Sequence, residues 1–427
     1  MTQVQADYDV TSSLLGMSRL QPRTRVWIVL ALIVAFRVCF AVMSPISING
    51  ITARGGDEPF YTKIAQHIVE AHEYREKNLL AYRPPLYPAF VAVSLALGQS
   101  KFWLLQVLQN LLFLAAAVVF CVIARGRWGR SAGVYMALLL LINPVWLMLP
   151  QQVVSETLFI CLLVLGVFCI SRFVTTNRIR WCVFAGIAFG FSALTREIGL
   201  YFGIGAFACL LIKKEADIRH CLVAAASIFL AVLPWTFRNY EKLHAFVLVD
   251  TNGPINLYAG NNPSATGTTH WALPPGLQSI WNTPGTEMRI YKQARADALA
   301  YMESHPLQTL KLMPVKLRVL WGPIAITTRG FNKETVFRVI RFVFWIGFVV
   351  LVLLGLKTSC EHWTGLVVVT WALITTAIHL ITFAQPSYRA PMEFFLALPA
   401  ALGMCRVLNL WTKQADRVQS SAYHGQA

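Results

Sequence analysis

A chain of 427 residues that is 56% hydrophobic and only 13% charged, with a mean hydropathy of +0.55, cannot cover itself with a solvated surface, which excludes an ordinary soluble domain. Its formal charge of +17 would suggest nucleic acid as a partner of a soluble protein. Here the Lys and Arg residues gather in short segments between apolar runs, which is the signature of membrane topology rather than of polyanion binding.

In chain order, residues 1–25 read as a cytoplasmic tail whose Arg19, Arg23 and Arg25 precede a first span at 26–44. No small-residue cleavage site follows, so this span reads as a retained signal anchor. Residues 45–101 form a first outer loop. Further spans are expected at 102–124, 132–149, 154–173, 181–194, 199–212 and 221–237, which closes a transmembrane module at 26–237. Residues 238–335 read as an extracytoplasmic loop with juxtamembrane segments, rich in turn signals and without the pattern of an independent domain. C-terminal spans follow at 337–356, 363–383 and 392–410, within 336–411, and 412–427 is a cytoplasmic tail.

The runs suit helices, which satisfy their own backbone in lipid, and they number about ten crossings. Basic clusters at Arg125, Arg127 and Arg130, at Arg172, Arg178 and Arg180, and at Lys213, Lys214 and Arg219 mark the cytoplasmic side. That parity leaves the shorter stretch 85–97 re-entrant or lying in the outer interface. The fold class is therefore an all-α polytopic bundle of the inner (plasma) membrane, with both termini cytoplasmic. The nine cysteines show no metal-ligand spacing, so disulfides and structural zinc are not expected.

The densest polar chemistry lies in the first outer loop. Gly55-Gly56-Asp57-Glu58-Pro59 opens an amphipathic helix with Phe60, Tyr61, Ile64, Ala65 and Ile68 on one face, suited to the membrane surface. Asp57 and Glu58 stand at its entrance, where carboxylates cap exposed amides. The chain has only 20 acidic residues, and two adjoin here behind Gly-Gly, which favours a second reading: a general base for an acceptor hydroxyl or amine. The loop ends in Tyr82-Arg83-Pro84-Pro85, whose prolines set an extended turn and leave Arg83 free to meet lipid headgroups or to grip a phosphate.

Arg196 and Arg389 lie at outward ends of spans, against the charge rule, and each needs another reason. Arg196 has a structural explanation, a pair with Glu156, beside a functional one. Arg389, next to Tyr388, is assigned to phosphate contact. Arg238 opens the long outer loop and suits headgroup binding. Asn261, His270, Trp271 and Trp281 together suggest an acceptor-side lid, although any one of them fits a plain covering loop.

Gly56-Asp57-Glu58-Pro59-Phe60-Tyr61 followed by Tyr82-Arg83-Pro84-Pro85 resembles the first outer loop of GT-C membrane glycosyltransferases, the superfamily of protein O-mannosyltransferases and lipid A aminoarabinose transferases. Ser155-Glu156-Thr157, Thr195-Arg196-Glu197, Pro234-Trp235 with Arg238-Asn239, Gly260-Asn261-Asn262-Pro263 and Tyr388-Arg389-Ala390-Pro391 extend the likeness in order along most of the chain. It departs from the aminoarabinose transferases, which have arginine in place of Phe60 and Glu-Lys-Pro in place of Tyr82-Arg83-Pro84, and is closer to the broad bacterial mannosyltransferase-like group.

The resemblance implies a sugar carried on a polyprenyl phosphate and transferred, with inversion, at the extracytoplasmic face to a lipid, glycan or protein acceptor. Asp57 is then the catalytic base with Glu58 beside it, and Arg83, Arg196 and Arg389 bind the donor phosphate. Tyr61, Tyr82, Glu156, Arg238, Asn261 and Tyr388 line the substrate. No cofactor is required, with a divalent metal at Asp57 and Glu58 as the variant, and neither nucleic acid nor a dedicated metal site is expected. A transporter or flippase is the alternative, but it would place ionisable residues deep within several spans, whereas here they gather at one edge.

Overall fold

The computed structural model describes residues 22–46, 56–268, 272–281, 283–323 and 334–424. His270 and Trp271 of the expected lid, and Gly55, lie outside the described residues. Two compact units divide the chain, Met1–Pro45 and Ile46–Ala427. In the first, the expected anchor is a single helix, α1 (Pro22–Met43).

The second unit opens with a helix pair, α2 (Glu58–Ala71) and α3 (Leu86–Leu97). The core of the predicted apolar face of α2 is buried against protein: Tyr61 and Ala65 pack with Tyr87, Val91 and Leu95 of α3. Lys63 and Glu70, on the opposite face, are exposed, so the helical period was legible and its partner was not.

Next comes α4 (Trp103–Ile142), which runs through two expected spans. Gly129 breaks it with φ 86°, a left-handed value that glycine tolerates without strain. A methyl group on Gly133 would sit 3.1 Å from the Cys121 carbonyl and 3.0 Å from Arg125 Cβ. Those residues would be roughly 12–18 Å away along a straight helix at about 1.5 Å per residue. The chain therefore doubles back at Gly129, and the two expected spans are antiparallel neighbours.

The following helices are α5 (Pro144–Met148), α6 (Glu156–Thr176), α7 (Arg180–Ala193), α8 (Gly199–Ile212) and α9 (Ile218–Leu243). Three helices, α10 (Asn252–Gly260), α11 (Glu287–Ser304) and α12 (Pro306–Trp321), occupy the long segment read from sequence as irregular. That reading is corrected: Ile290, Ala294 and Ala298 recur every fourth residue and bury one face of α11, a period that small alanines signal weakly. The chain ends in α13 (Glu334–Cys360), α14 (Trp363–Ile381) and α15 (Ala390–His424). Where α13 and α15 cross, Gly355 meets the Pro399 carbonyl and Gly403 meets the Leu351 carbonyl, so any side chain at either position would force the helices apart.

Among the described residues, six helices are long and apolar enough to cross a membrane, and four shorter apolar helices accompany them, α3, α7, α8 and Leu30–Met43 of α1. Length and composition do not by themselves assign which of the short ones cross, so the polytopic helical architecture stands without the count of ten. An aromatic cluster ties the bundle together: Phe394 of α15 meets Phe113 and Phe120 of α4 and Trp146 of α5, while Phe395 meets Trp371 of α14, which stacks on Phe202 of α8.

Candidate functional site

Asp57 immediately precedes α2, and Pro59 occupies the first turn, which leaves one fewer amide to be capped. The Asp57 side chain caps none of the remaining amides. Its Oδ1 instead accepts a hydrogen bond from Arg83 Nη2 at 2.6 Å, in an ion pair whose arginine is 11% exposed and whose carboxylate is 41% exposed. Glu58 turns elsewhere: it is buried, and its Oε1 accepts from the Val153 amide at 3.1 Å. The two adjacent acids thus serve different partners.

Backbone hydrogen bonds stitch three distant loops around Asp57. The Leu86 amide donates to the Leu194 carbonyl at 2.9 Å, which sets the Arg83 turn beside Arg196, and the Thr251 amide donates to the Ala81 carbonyl at 2.9 Å, which brings in Asp250. Glu287, at the N-terminus of α11, reinforces the same loop by accepting from the Leu80 and Ala81 amides and from the Thr251 hydroxyl. Arg238 donates to the carbonyls of Leu80 and Tyr74 and lies over the Trp235 ring, so it braces the Arg83 loop from behind. Tyr82 sits under Arg83, with the guanidinium 4.7 Å from its ring, and packs on Phe60 and Trp281. Glu287→Ala is expected to destabilise the fold by about 3 kcal/mol, since two buried donors and one part-buried donor lose their acceptor. Its donor KM should also rise, because Arg83 loses its support; a thermal melt and a donor titration check both.

The result is a cleft of about 430 Å³ lined by Asp57, Tyr61, Arg83, Arg196 and Tyr388 among the residues singled out from sequence. Arg196 Nη1 lies 2.9 Å from Glu156 Oε1 and 3.0 Å from Ser155 Oγ, so the structural pair expected from sequence exists, and the guanidinium still reaches the cleft. Arg83 retains an Nε with no hydrogen-bond partner. Burial weakens the hold of Arg83 on its proton, but the Asp57 carboxylate beside it more than restores that hold, so the guanidinium is firmly charged.

Arg389 does not line this cleft. Its Nε donates to Glu393 Oε1 at 2.6 Å, and Nη1 donates to the carbonyls of Leu320 and Gly322. Asn261 also stands outside, clamping α10 to the end of α14 through the Ile381 carbonyl while accepting from Lys316 Nζ. Sequence reasoning missed Asp250, Glu197, His379, Tyr291 and Arg295, all of which line the cleft. The scarcity of acids that singled out Asp57 applied equally to Asp250 and Glu197, and was not applied to them.

Burial, with Asp250 nearby, pushes the Glu197 carboxyl up to about 8, and burial pushes Asp250 up to about 6 despite the amide of Asn252 and the charge of Arg83. Both groups hold a proton in the folded state that the unfolded chain releases near 4.5 and 3.8. Stability is therefore greatest below those values and declines as pH rises towards 8, where the native carboxyls must ionise. Melting temperature against pH should show this decline, and Glu197→Gln should flatten it; parallel curves for the two proteins would contradict the assignment.

Residues 82–237 match the family model for dolichyl-phosphate-mannose-protein mannosyltransferase. No curated protein matches the chain. Among solved structures, it is similar to ArnT from Cupriavidus metallidurans bound to undecaprenyl phosphate, at 16% identity over 89% of this chain and 78% of that chain, with a TM-score of 0.45. It is also similar to the oligosaccharyltransferase from Archaeoglobus fulgidus. The apo form gives 14% identity over 94% of this chain and 52% of that one, with a TM-score of 0.52. The same protein tethered to an acceptor peptide containing the NVT sequon gives 13% identity, 92% and 50% coverage, and a TM-score of 0.54. The chain spans about half the length of the archaeal protein, and the likeness is one of fold.

Proposed function

Starting from a chain that has the GT-C membrane-glycosyltransferase fold, we propose that it transfers a sugar from a polyprenyl-phosphate donor to an acceptor hydroxyl or amine at the extracytoplasmic face of the inner membrane. The observation that carries this reading is the convergence of the exposed carboxylate of Asp57 with the guanidinium groups of Arg83 and Arg196 on a single cleft. The matched family model, whose description names a mannose carried on dolichyl phosphate, spans both arginines and supports the choice of donor class.

The chemistry needs little else. Asp57 accepts the proton of the acceptor, whose freed electron pair attacks the anomeric carbon from the face opposite the phosphate. The bond between that carbon and the phosphate oxygen breaks, its electron pair leaves with the polyprenyl phosphate, and the anomeric configuration inverts. Phosphate departs without a general acid, so a base and preorganised cations suffice. Arg83 serves both halves of the reaction: it holds Asp57 before the donor arrives, and its guanidinium stands at the wall of the cleft that receives the phosphate.

Purified protein incubated with a panel of labelled polyprenyl-phosphate sugars and envelope acceptors tests this directly. Formation of a glycosylated acceptor with stoichiometric release of polyprenyl phosphate supports the proposal, and no turnover of any donor in the panel sinks it. Solute uptake by reconstituted vesicles without sugar transfer would favour the transport reading instead.

A further inference from the structure

Tyr388 and Arg389 are consecutive in the 3₁₀ turn Pro386–Arg389 that leads into α15, yet they line different cavities. Tyr388 belongs to the cleft. Arg389 lines a separate cavity of about 10 Å³, together with Arg341, Glu393, Trp345, Pro144 and Pro323.

Among the described residues, three ionisable side chains meet there, and all are buried: Arg341 is 7% exposed, Arg389 2% and Glu393 2%. The acid among them, Glu393, is already engaged by Arg389 Nε. Arg389 is further served by two backbone carbonyls and by the Trp345 ring, 4.3 Å below its guanidinium. Arg341 is not: its Nη2 is buried and has no hydrogen-bond partner. Among the described residues, two positive groups stand there against one negative, which leaves one positive charge without a partner. Such a charge inside a helical membrane protein is strongly disfavoured unless something balances it, and ionisable groups in that position are characteristically functional.

We propose that Arg341 and Arg389 form a second anion site, which takes one oxygen of a phosphate group from a lipid headgroup or from free phosphate. The size of the cavity sets the mode of binding. It admits one water-sized atom, so a phosphate inserts a single oxygen between the guanidinium groups and keeps the rest of its bulk outside. Guanidinium donors suit that oxygen because their N–H groups are fixed in a planar fork. The site lies beyond the Pro386–Arg389 turn from the cleft and does not depend on sugar transfer.

Thermal unfolding in nanodiscs tests it, at constant ionic strength, for wild type and Arg341→Met. One arm adds inorganic phosphate to discs of phosphatidylcholine; the other replaces part of the phosphatidylcholine with phosphatidylglycerol. The cleft is common to both proteins, so the difference between their responses reads the second cavity alone. Wild type should gain about 2–3 °C at tenfold saturation over Arg341→Met. A gain with phosphate assigns the free anion, and a gain only with phosphatidylglycerol assigns the lipid headgroup; either supports the site. Equal responses from the two proteins in both arms overturn it. Should Arg341→Met fail to fold, Arg341→Lys carries the test: it keeps the charge but loses the fork, so a diminished gain supports the site and an undiminished one overturns it.

Discussion

Asp57→Asn is expected to lower sugar transfer by roughly 100- to 10,000-fold, the usual contribution of a positioned base. The amide keeps the size of the carboxylate and an oxygen able to accept from Arg83 Nη2, but it cannot take the acceptor's proton. Stability should fall by about 1 kcal/mol or less, because the Asp57 side chain is 41% exposed and solvent screens much of its pairing with Arg83. Initial rates with a labelled polyprenyl-phosphate sugar, alongside a melting curve, separate the two effects. A variant that folds, binds donor and transfers sugar at the wild-type rate would remove Asp57 from the mechanism.

The largest expected effect on stability comes from Arg196→Ala. Glu156 is only 6% exposed at its side chain, and Arg196 is its ion-pair partner at 2.9 Å. Removing the guanidinium strands a buried carboxylate at an estimated cost of about 3–5 kcal/mol. Adding Glu156→Gln removes the stranded charge, so the double variant should recover much of that stability. It should not recover donor affinity, because the cation at the cleft wall is still missing. Chemical denaturation of the single and double variants, paired with donor titration, distinguishes a structural cation from one that also binds phosphate: equal rescue of stability and of donor KM would leave Arg196 with a structural role alone.

The chain's organisation was legible for physical reasons that act over short stretches. Lipid selects runs of apolar residues one at a time, so the spans could be read without knowing their neighbours, and the break at Gly129 falls between two expected spans. Asp57 and Arg83 were legible because a rare carboxylate and a proline-fixed arginine flank the same short helix. Arg196 and Glu156 were legible as a pair because Arg196 breaks the charge rule at an outward span end and Glu156 lies at a corresponding one.

What a side chain faces was not legible where packing between distant segments decides it. Glu58 adjoins Asp57 but is drawn to the Val153 amide, and Arg238 turns from the expected headgroups to carbonyls of the Arg83 loop. The turn before α15 sends Tyr388 and Arg389 into separate cavities, and Glu197 and Asp250 share a wall only because loops more than fifty residues apart are stitched through Leu194 and Thr251. The sequence alone determined a helical membrane protein with an acid and an arginine at the mouth of its first loop, since hydropathy and proline geometry are local. Only the tertiary structure decided which charges share a cleft, because that depends on how helices far apart in the chain register against one another.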